Sequence, residues 1–434
     1  MPFAEEVQGI IRQKRLPLIQ DQFPSEEFIM PCYEGFSIAN LPATIVSILG
    51  GEPVDIMAPP LSPDLWTDLA GGVRHVVVVI WDGVGYLHFQ KMLEDDRELN
   101  ILRRLLNNSS HFLPITSVFP STTAVALSSL FTGYTPAKHG LIGRKLCLRE
   151  YGGMVDMLDL TPIMSKSEQL LIEWGMEPEK FLPVPTLAET LARQDIPTYI
   201  ATHRRQINHG FWKMAAFRGT VITKGFVTSS DMWVLLRQML EELYSERSLL
   251  VAYWGDTDAV SHQYGLESDA LAAEIRSFVY SLTREFLQPL TPEVRKGTLL
   301  FIVSDHGHVN SLPEQAVNIN NHPYLRDALG LPLGNEPRAA FLYVRNNRKD
   351  AVRSYFEKHL AEQFVVLDSQ EVLKAGLFGD GSITPEVSHR IGDLIALSRG
   401  EAILYQEGDP ILRSYHGGLA PGEMLAILLA IRLG

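Results

Sequence analysis

Three stretches of this chain are too continuously apolar to face water on either side, and each leads to a carboxylate. HVVVVIW (75–81) ends at Asp82, LLVAYW (249–254) leads to Asp258 and His262, and LLFIVS (299–304) runs into Asp305-His306. Short apolar runs of this kind read as strands covered on both faces, the situation inside a parallel sheet. Helical patterns alternate with them, as a largely parallel sheet with helices on both sides requires. The carboxylates and imidazoles are then expected together, at the carboxyl edge of one α/β sheet.

Other segments fill in this frame. TLAETLAR (186–193) reads as a helix followed by the strand TYIAT (198–202). Ser230 is the expected cap of a helix carrying Leu235, Leu236, Met239, Leu240 and Leu243 on one face. A further helix over 267–287 places Leu271, Ile275, Phe278 and Leu282 at helical spacing. Between His306 and His416 the chain carries strands of its own, AAFLYV (339–344) and FVVL (364–367), and a helix over 350–363. The expected organisation is a wrapping segment over 1–72, a core made of 73–309 and 401–434, and a small cap subdomain inserted over 310–400.

A net charge of −13 argues against a general nucleic-acid or anionic-membrane surface, because phosphate backbones reward dense Lys and Arg. It leaves room for a small phosphorylated substrate in one locally positive pocket. Cys32 and Cys147 are the only cysteines and are far apart, so neither a disulfide framework nor a structural zinc cluster is implied. The first residues carry Glu5, Glu6, Arg12, Lys14 and Arg15 without the apolar stretch of a signal peptide. No run approaches the ~18–20 apolar residues that span a bilayer. A cytoplasmic protein is the expectation, and the oligomeric state stays open.

Asp258 and His262 stand four residues apart, so on a helix both reach one ion. Carboxylates mixed with imidazoles, including His416 in SYHGG, suit Zn²⁺ or Mn²⁺ better than Ca²⁺ or a thiolate-bound metal. FPSTT (119–123) precedes the helical run AVALSSLF (124–131). Ser121, Thr122 or Thr123 would each serve as its N-cap, and a hydroxyl there gains from the free N–H groups of the helix start. Metal coordination lowers the pKa of such a hydroxyl and makes it a nucleophile without a neighbouring base.

In that order these segments resemble the alkaline phosphatase superfamily, and most closely its type I phosphodiesterase/nucleotide pyrophosphatase family. The matching residues are Phe119-Pro120-Ser121-Thr122-Thr123 followed by Thr132-Gly133, then His139-Gly140, Asp258 with His262, Tyr264 and Gly265, Asp305-His306-Gly307, and His416-Gly417. The resemblance implies a three-layer α/β/α sandwich with a central, mostly parallel sheet and a small inserted cap. It selects Thr123 as nucleophile and implies two divalent ions, most simply Zn²⁺, with Mn²⁺ as the other candidate. Asp258, His262 and His416 would hold one ion. Asp82, Asp305 and His306 would hold the other, with Thr123 at or between the two. The implied reaction is attack of Thr123 on phosphorus, a phospho-threonine intermediate, and its hydrolysis.

Two positions depart from the family pattern. Ala124 stands where nucleotide-hydrolysing members carry an aromatic that stacks on the base, so Tyr134, Tyr151, Trp254 or a cap residue would have to replace it. Arg144 stands where phosphodiesterases carry an Asn on the phosphate. A guanidinium binds two oxygens at once and favours a more highly charged group, which leans towards a phosphate monoester. A phosphomutase and a partner-dependent PglZ-like module are the other readings that the resemblance allows. His308 reads as a residue behind the ligands.

Overall fold

The computed structural model of the protein describes residues 2–434 apart from 24–26, 55, 107–108 and 244–245. At its centre is a seven-stranded sheet in the order Ser110–Thr116, Leu425–Arg432, Thr298–Val303, His75–Trp81, Ser248–Trp254, Thr198–His203, Val221–Phe226. His75–Trp81 is buried along its whole length and pairs in parallel with Ser248–Trp254 on one side and Thr298–Val303 on the other. Thr198–His203 and Val221–Phe226 continue the parallel run. Leu425–Arg432 runs antiparallel to both its neighbours. The fold is mixed α/β with a central, mostly parallel sheet.

Register positions the chemistry. His75 lies opposite both Ser248 and Thr298, and Trp81 opposite Trp254. The three central strands therefore end level, and the residues that follow them emerge at one edge. The helices Ser229–Glu242 and Asp269–Ser281 pack together beside this sheet, with Trp233 edge-on to Phe278 and Phe278 stacked on Trp81 at 4.1 Å between ring centroids.

Local boundaries differ from the sequence reading in three places. The helix expected to be capped by Ser230 begins at Ser229, and Thr228 is its N-cap, accepting from the Asp231 N–H at 3.2 Å. The helix expected over 267–287 is α-helical from Asp269 to Ser281 and then widens into a π-helical turn, Leu282–Leu287. The helix expected over 350–363 is Lys349–His359, because Leu360 takes a φ of −137° that turns the chain into the strand Phe364–Asp368.

The segment between the central strands Thr298–Val303 and Leu425–Arg432 holds a second sheet of four strands, in the order Gly334–Glu336, Ala339–Leu342, Leu394–Ser398, Phe364–Asp368. Alternate side chains of a strand point to opposite faces. Ala339, Phe341, Ile395 and Leu397 accordingly join the main core, and Ala340, Leu342, Leu394 and Ala396 join a smaller one with Val352 and Phe356. Among the described residues, no helix is long and apolar enough to cross a membrane.

Candidate active site

The helix Thr123–Thr132 is buried throughout and starts at the carboxyl edge of the sheet. Of the three hydroxyls that precede or open it, Thr122 occupies the cap position without a side-chain capping bond, since its Oγ1 donates to Glu336 Oε1 at 2.9 Å. Ser121 donates to the Gly418 carbonyl at 2.8 Å. Thr123, the first helical residue, has its Oγ1 3.1 Å from His306 Nε2.

Asp82 follows its strand directly, with its N–H on the Trp254 carbonyl at 3.0 Å. Tyr253 donates to its Oδ2, while Oδ1 is buried without a hydrogen bond. Asp305 is built the same way. Its Oδ1 accepts from the N–H groups of Gly83 and His306, at 3.2 and 2.9 Å, and its Oδ2 is buried without a partner. His306 Nε2 lies 3.5 Å from Asp82 Oδ1 and 3.4 Å from Asp305 Oδ2, the two orphaned oxygens.

Asp258 and His262 lie on the helix Asp256–Tyr264, one turn apart, with 3.5 Å between Oδ1 and Nε2. His416 Nε2 is 3.7 Å from the same oxygen, and the His416 ring stacks on His306 at 3.8 Å. The structure thus brings Asp82, Asp305 and His306 into one group and Asp258, His306 and His416 into a second, with His262 beside Asp258. Asp258, His262 and His308 also stand close enough to share an ion. His308 Nε2, however, is already at hydrogen-bond distance from Asp258, 2.8 Å, and its Nδ1 meets Ser414 Oγ at 3.0 Å. Gly83 permits the approach: at φ 77°, a Cβ there would fall 2.9 Å from both Asp258 Cα and His308 Nε2.

Proton assignments decide what this arrangement fits. The Nδ1 atoms of His262, His306 and His416 face backbone carbonyls, of Ser414 at 2.7 Å, Gly307 at 3.2 Å and Ser121 at 3.0 Å. A carbonyl only accepts, so each Nδ1 carries a proton, and in the neutral ring each Nε2 then presents a lone pair. Those lone pairs point at carboxylate oxygens 3.4–3.7 Å away, acceptor against acceptor. The donor set therefore fits divalent cations between them, each ring held by a carbonyl behind it.

Charge tells the same story. Burial, reinforced by the Asp305 and Asp258 carboxylates, pushes Asp82 well above the usual carboxylate range, and burial also raises Asp305. Burial opposes the charge on Asp258 as well, but the imidazoles of His262, His308 and His416 outweigh it and hold that carboxyl well below its ordinary value. Burial, with His306 alongside, holds His416 well below the ordinary imidazole value.

The remaining sequence candidates are engaged by other partners or buried. Arg144 donates from Nε to Asp156 Oδ2 at 3.1 Å, and its Nη1 is 3.9 Å from Glu336 Oε1. Ala124 and Tyr134 are fully buried, and Trp254 is buried with its Nε1 on Glu274 at 2.7 Å. His139 is buried against Ser129. Tyr253, Ser414, Glu336 and Glu423 take part in the surroundings of the site without having been singled out from sequence. Their signal was a polar group in or beside an apolar run, which the chain shows in many other places.

The profile of the family described as type I phosphodiesterase / nucleotide pyrophosphatase matches residues 76–419. Among solved structures, murine ectonucleotide pyrophosphatase / phosphodiesterase 5 superposes with a TM-score of 0.60 at 17% identity, covering 82% of this chain and 87% of its own. The human counterpart gives 0.60 at 19% identity over the same shares. Phosphonoacetate hydrolase from Sinorhizobium meliloti 1021, in complex with phosphonoacetate, gives 0.59 at 17%, covering 83% and 90%. No curated protein sequence matches the chain.

Proposed function

The chain belongs to the type I phosphodiesterase / nucleotide pyrophosphatase family, and from that membership we propose that it hydrolyses small phosphoric esters with Thr123 as nucleophile. The observation that carries this reading is the placement of Thr123 Oγ1, at a helix N-terminus and 3.1 Å from a histidine that itself faces two orphaned carboxylate oxygens. Asp82, Asp305 and His306 would hold one divalent ion, and Asp258, His262 and His416 the other, Zn²⁺ or Mn²⁺ by donor type. Such ions, when bound, lower the pKa of an adjacent hydroxyl and offset charge on phosphoryl oxygens.

The chain's own groups supply the rest. Thr123 Oγ1 attacks phosphorus in line with the leaving alcohol, which departs with a proton as the Thr123–phosphate ester forms. The free N–H groups at the start of helix Thr123–Thr132 favour the charge gathering on the non-bridging oxygens. Water then cleaves the ester, returning the hydroxyl and releasing phosphate from a monoester substrate, or the remaining phosphate monoester from a diester. His308, with its Nε2 2.8 Å from Asp258 Oδ1 and its Nδ1 on Ser414, packs against that carboxylate from behind. One relative has been captured with AMP and another with phosphonoacetate. In this chain Ala124 has no ring, and Tyr134 and Trp254 are buried, so these three residues give a nucleobase no stacking surface. Tyr151, which is partly exposed, is the remaining aromatic of that set.

Thr123→Ala is predicted to lower turnover of p-nitrophenyl esters by on the order of a thousandfold or more while metal content and folding persist. Thr122→Ala should keep most of the activity. The reverse outcome would move the nucleophile to Thr122.

A further inference from the structure

The second sheet delivers a carboxylate to the rim of this site. Glu336 ends the strand Gly334–Glu336, with its side chain only 8% exposed. Its Oε1 accepts from Thr122, the residue before Thr123, and lies 3.9 Å from Arg144 Nη1. On its other side stands Gly417, next to His416. Gly417 has φ 116°, and a Cβ there would come within 2.6 Å of Glu336 Cβ. Glu336 is thus wedged between the nucleophile segment and the His416 loop. Arg144 meets a second acid at its Nε, where Asp156 Oδ2 accepts at 3.1 Å. Two carboxylates therefore face one guanidinium.

An arginine so placed is not free to reward charge on a substrate. A phosphoryl group reaching for Arg144 must compete with Glu336, and it meets the Glu336 charge as it does so. Repulsion between like charges grows with the product of the charges, so a monoester dianion suffers about twice the penalty of a diester monoanion. Resting on the phosphoryl-transfer reading above, we infer that Glu336 is a specificity-determining residue: it compensates Arg144 and turns the site towards singly charged phosphoryl substrates, diesters or phosphonate monoesters, and away from phosphate monoesters.

A merely structural Glu336, needed only to hold Thr122, is separable from this. Glu336→Gln keeps an acceptor for the Thr122 hydroxyl and removes only the charge. The experiment compares kcat/KM on p-nitrophenyl phosphate and bis-p-nitrophenyl phosphate for the metal-loaded wild type, Glu336→Gln, Arg144→Asn and the double variant. Glu336→Gln is expected to raise the monoester-to-diester ratio by about tenfold, the scale of one charge-assisted contact, mainly through the monoester KM. In the Arg144→Asn background the same change should move the ratio by clearly less. An unmoved or falling ratio, or a shift of full size without Arg144, overturns the inference. Should Glu336→Gln fail to fold by its thermal melt, Asp156→Asn relieves the same guanidinium of its other acid, and an unmoved ratio there overturns the inference equally. Turnover of neither ester by the wild type removes the hydrolase reading and this inference together. Turnover with an unmoved ratio removes this inference alone.

Discussion

His139 shows at a single residue how burial becomes a pH dependence. The ring is fully buried, its Nδ1 accepts from the Leu141 N–H at 3.2 Å, and its Nε2 faces Ser129 Oγ at 3.0 Å. Burial lowers its pKa to about 3, against about 6.5 in an unfolded chain. As pH falls through that interval, the unfolded chain binds a proton that the native ring refuses. The stability tied to a neutral His139 is therefore complete above about pH 6.5 and declines by up to about 1.4 kcal/mol per pH unit below it. Urea melts at pH 7 and pH 4.5 should show His139→Gln losing less stability on acidification than the wild type. Equal losses would mean that His139 does not titrate in this way. At this scale chemistry restricts the choice: Asp82 and Asp305 stand out as carboxylates just past buried strands, and Asp258 through its pairing with His262 four residues on. Tyr253 was not readable, because a Tyr inside LLVAYW is an ordinary strand former until its hydroxyl is seen on Asp82.

Elements were legible through periodicity and less so at their ends. The central strands follow from unbroken apolar runs, and His75–Trp81 has the bounds that the sequence suggested. Caps depend on backbone angles that a run of hydroxyls does not reveal. Thr228, Ser229 and Ser230 are all cap-forming types, yet only Thr228 has the extended backbone of a cap, φ −133°. Asp231 reciprocates by accepting from the Val227 N–H at 2.8 Å. Thr228→Ala is predicted to cost about 1 kcal/mol. Ser230→Ala should cost clearly less, since the Ser230 hydroxyl meets Ser281 at 3.3 Å and caps no helix N–H. Denaturant midpoints of the two variants decide it, and a larger loss at Ser230 would move the cap.

Across the whole molecule, the second sheet is tied to the site by a buried ion pair. Arg338, 1% exposed, reaches Glu423, fully buried, at 2.9 Å from Nη2 to Oε1. Glu423 also accepts from the N–H groups of Gly418 and Ala420, and its carbonyl takes the Gly307 N–H at 2.9 Å. One pair thus fixes the loops that carry His416 and Asp305-His306. Arg338→Met strands a buried carboxylate and is predicted to cost about 3–5 kcal/mol by denaturant melts. Adding Glu423→Gln should recover part of that loss, and a mild effect of the single variant would contradict the linkage. A single sequence does not display this coupling, because GNEPR and APGEM lie far apart and only the fold joins them. The parallel sheet and the family were legible for the opposite reason: each motif is local, and the order of the motifs is itself a pattern.

The central claim is that the Nε2 lone pairs and orphaned oxygens at the sheet edge are there to hold cations, and elemental analysis of the purified protein tests it most directly. The account predicts two divalent ions per chain, Zn²⁺ or Mn²⁺, falling to about one in Asp305→Asn with the fold retained. A folded, metal-free protein that hydrolyses bis-p-nitrophenyl phosphate in the presence of a chelator, or a metal content unchanged by Asp305→Asn, would contradict it.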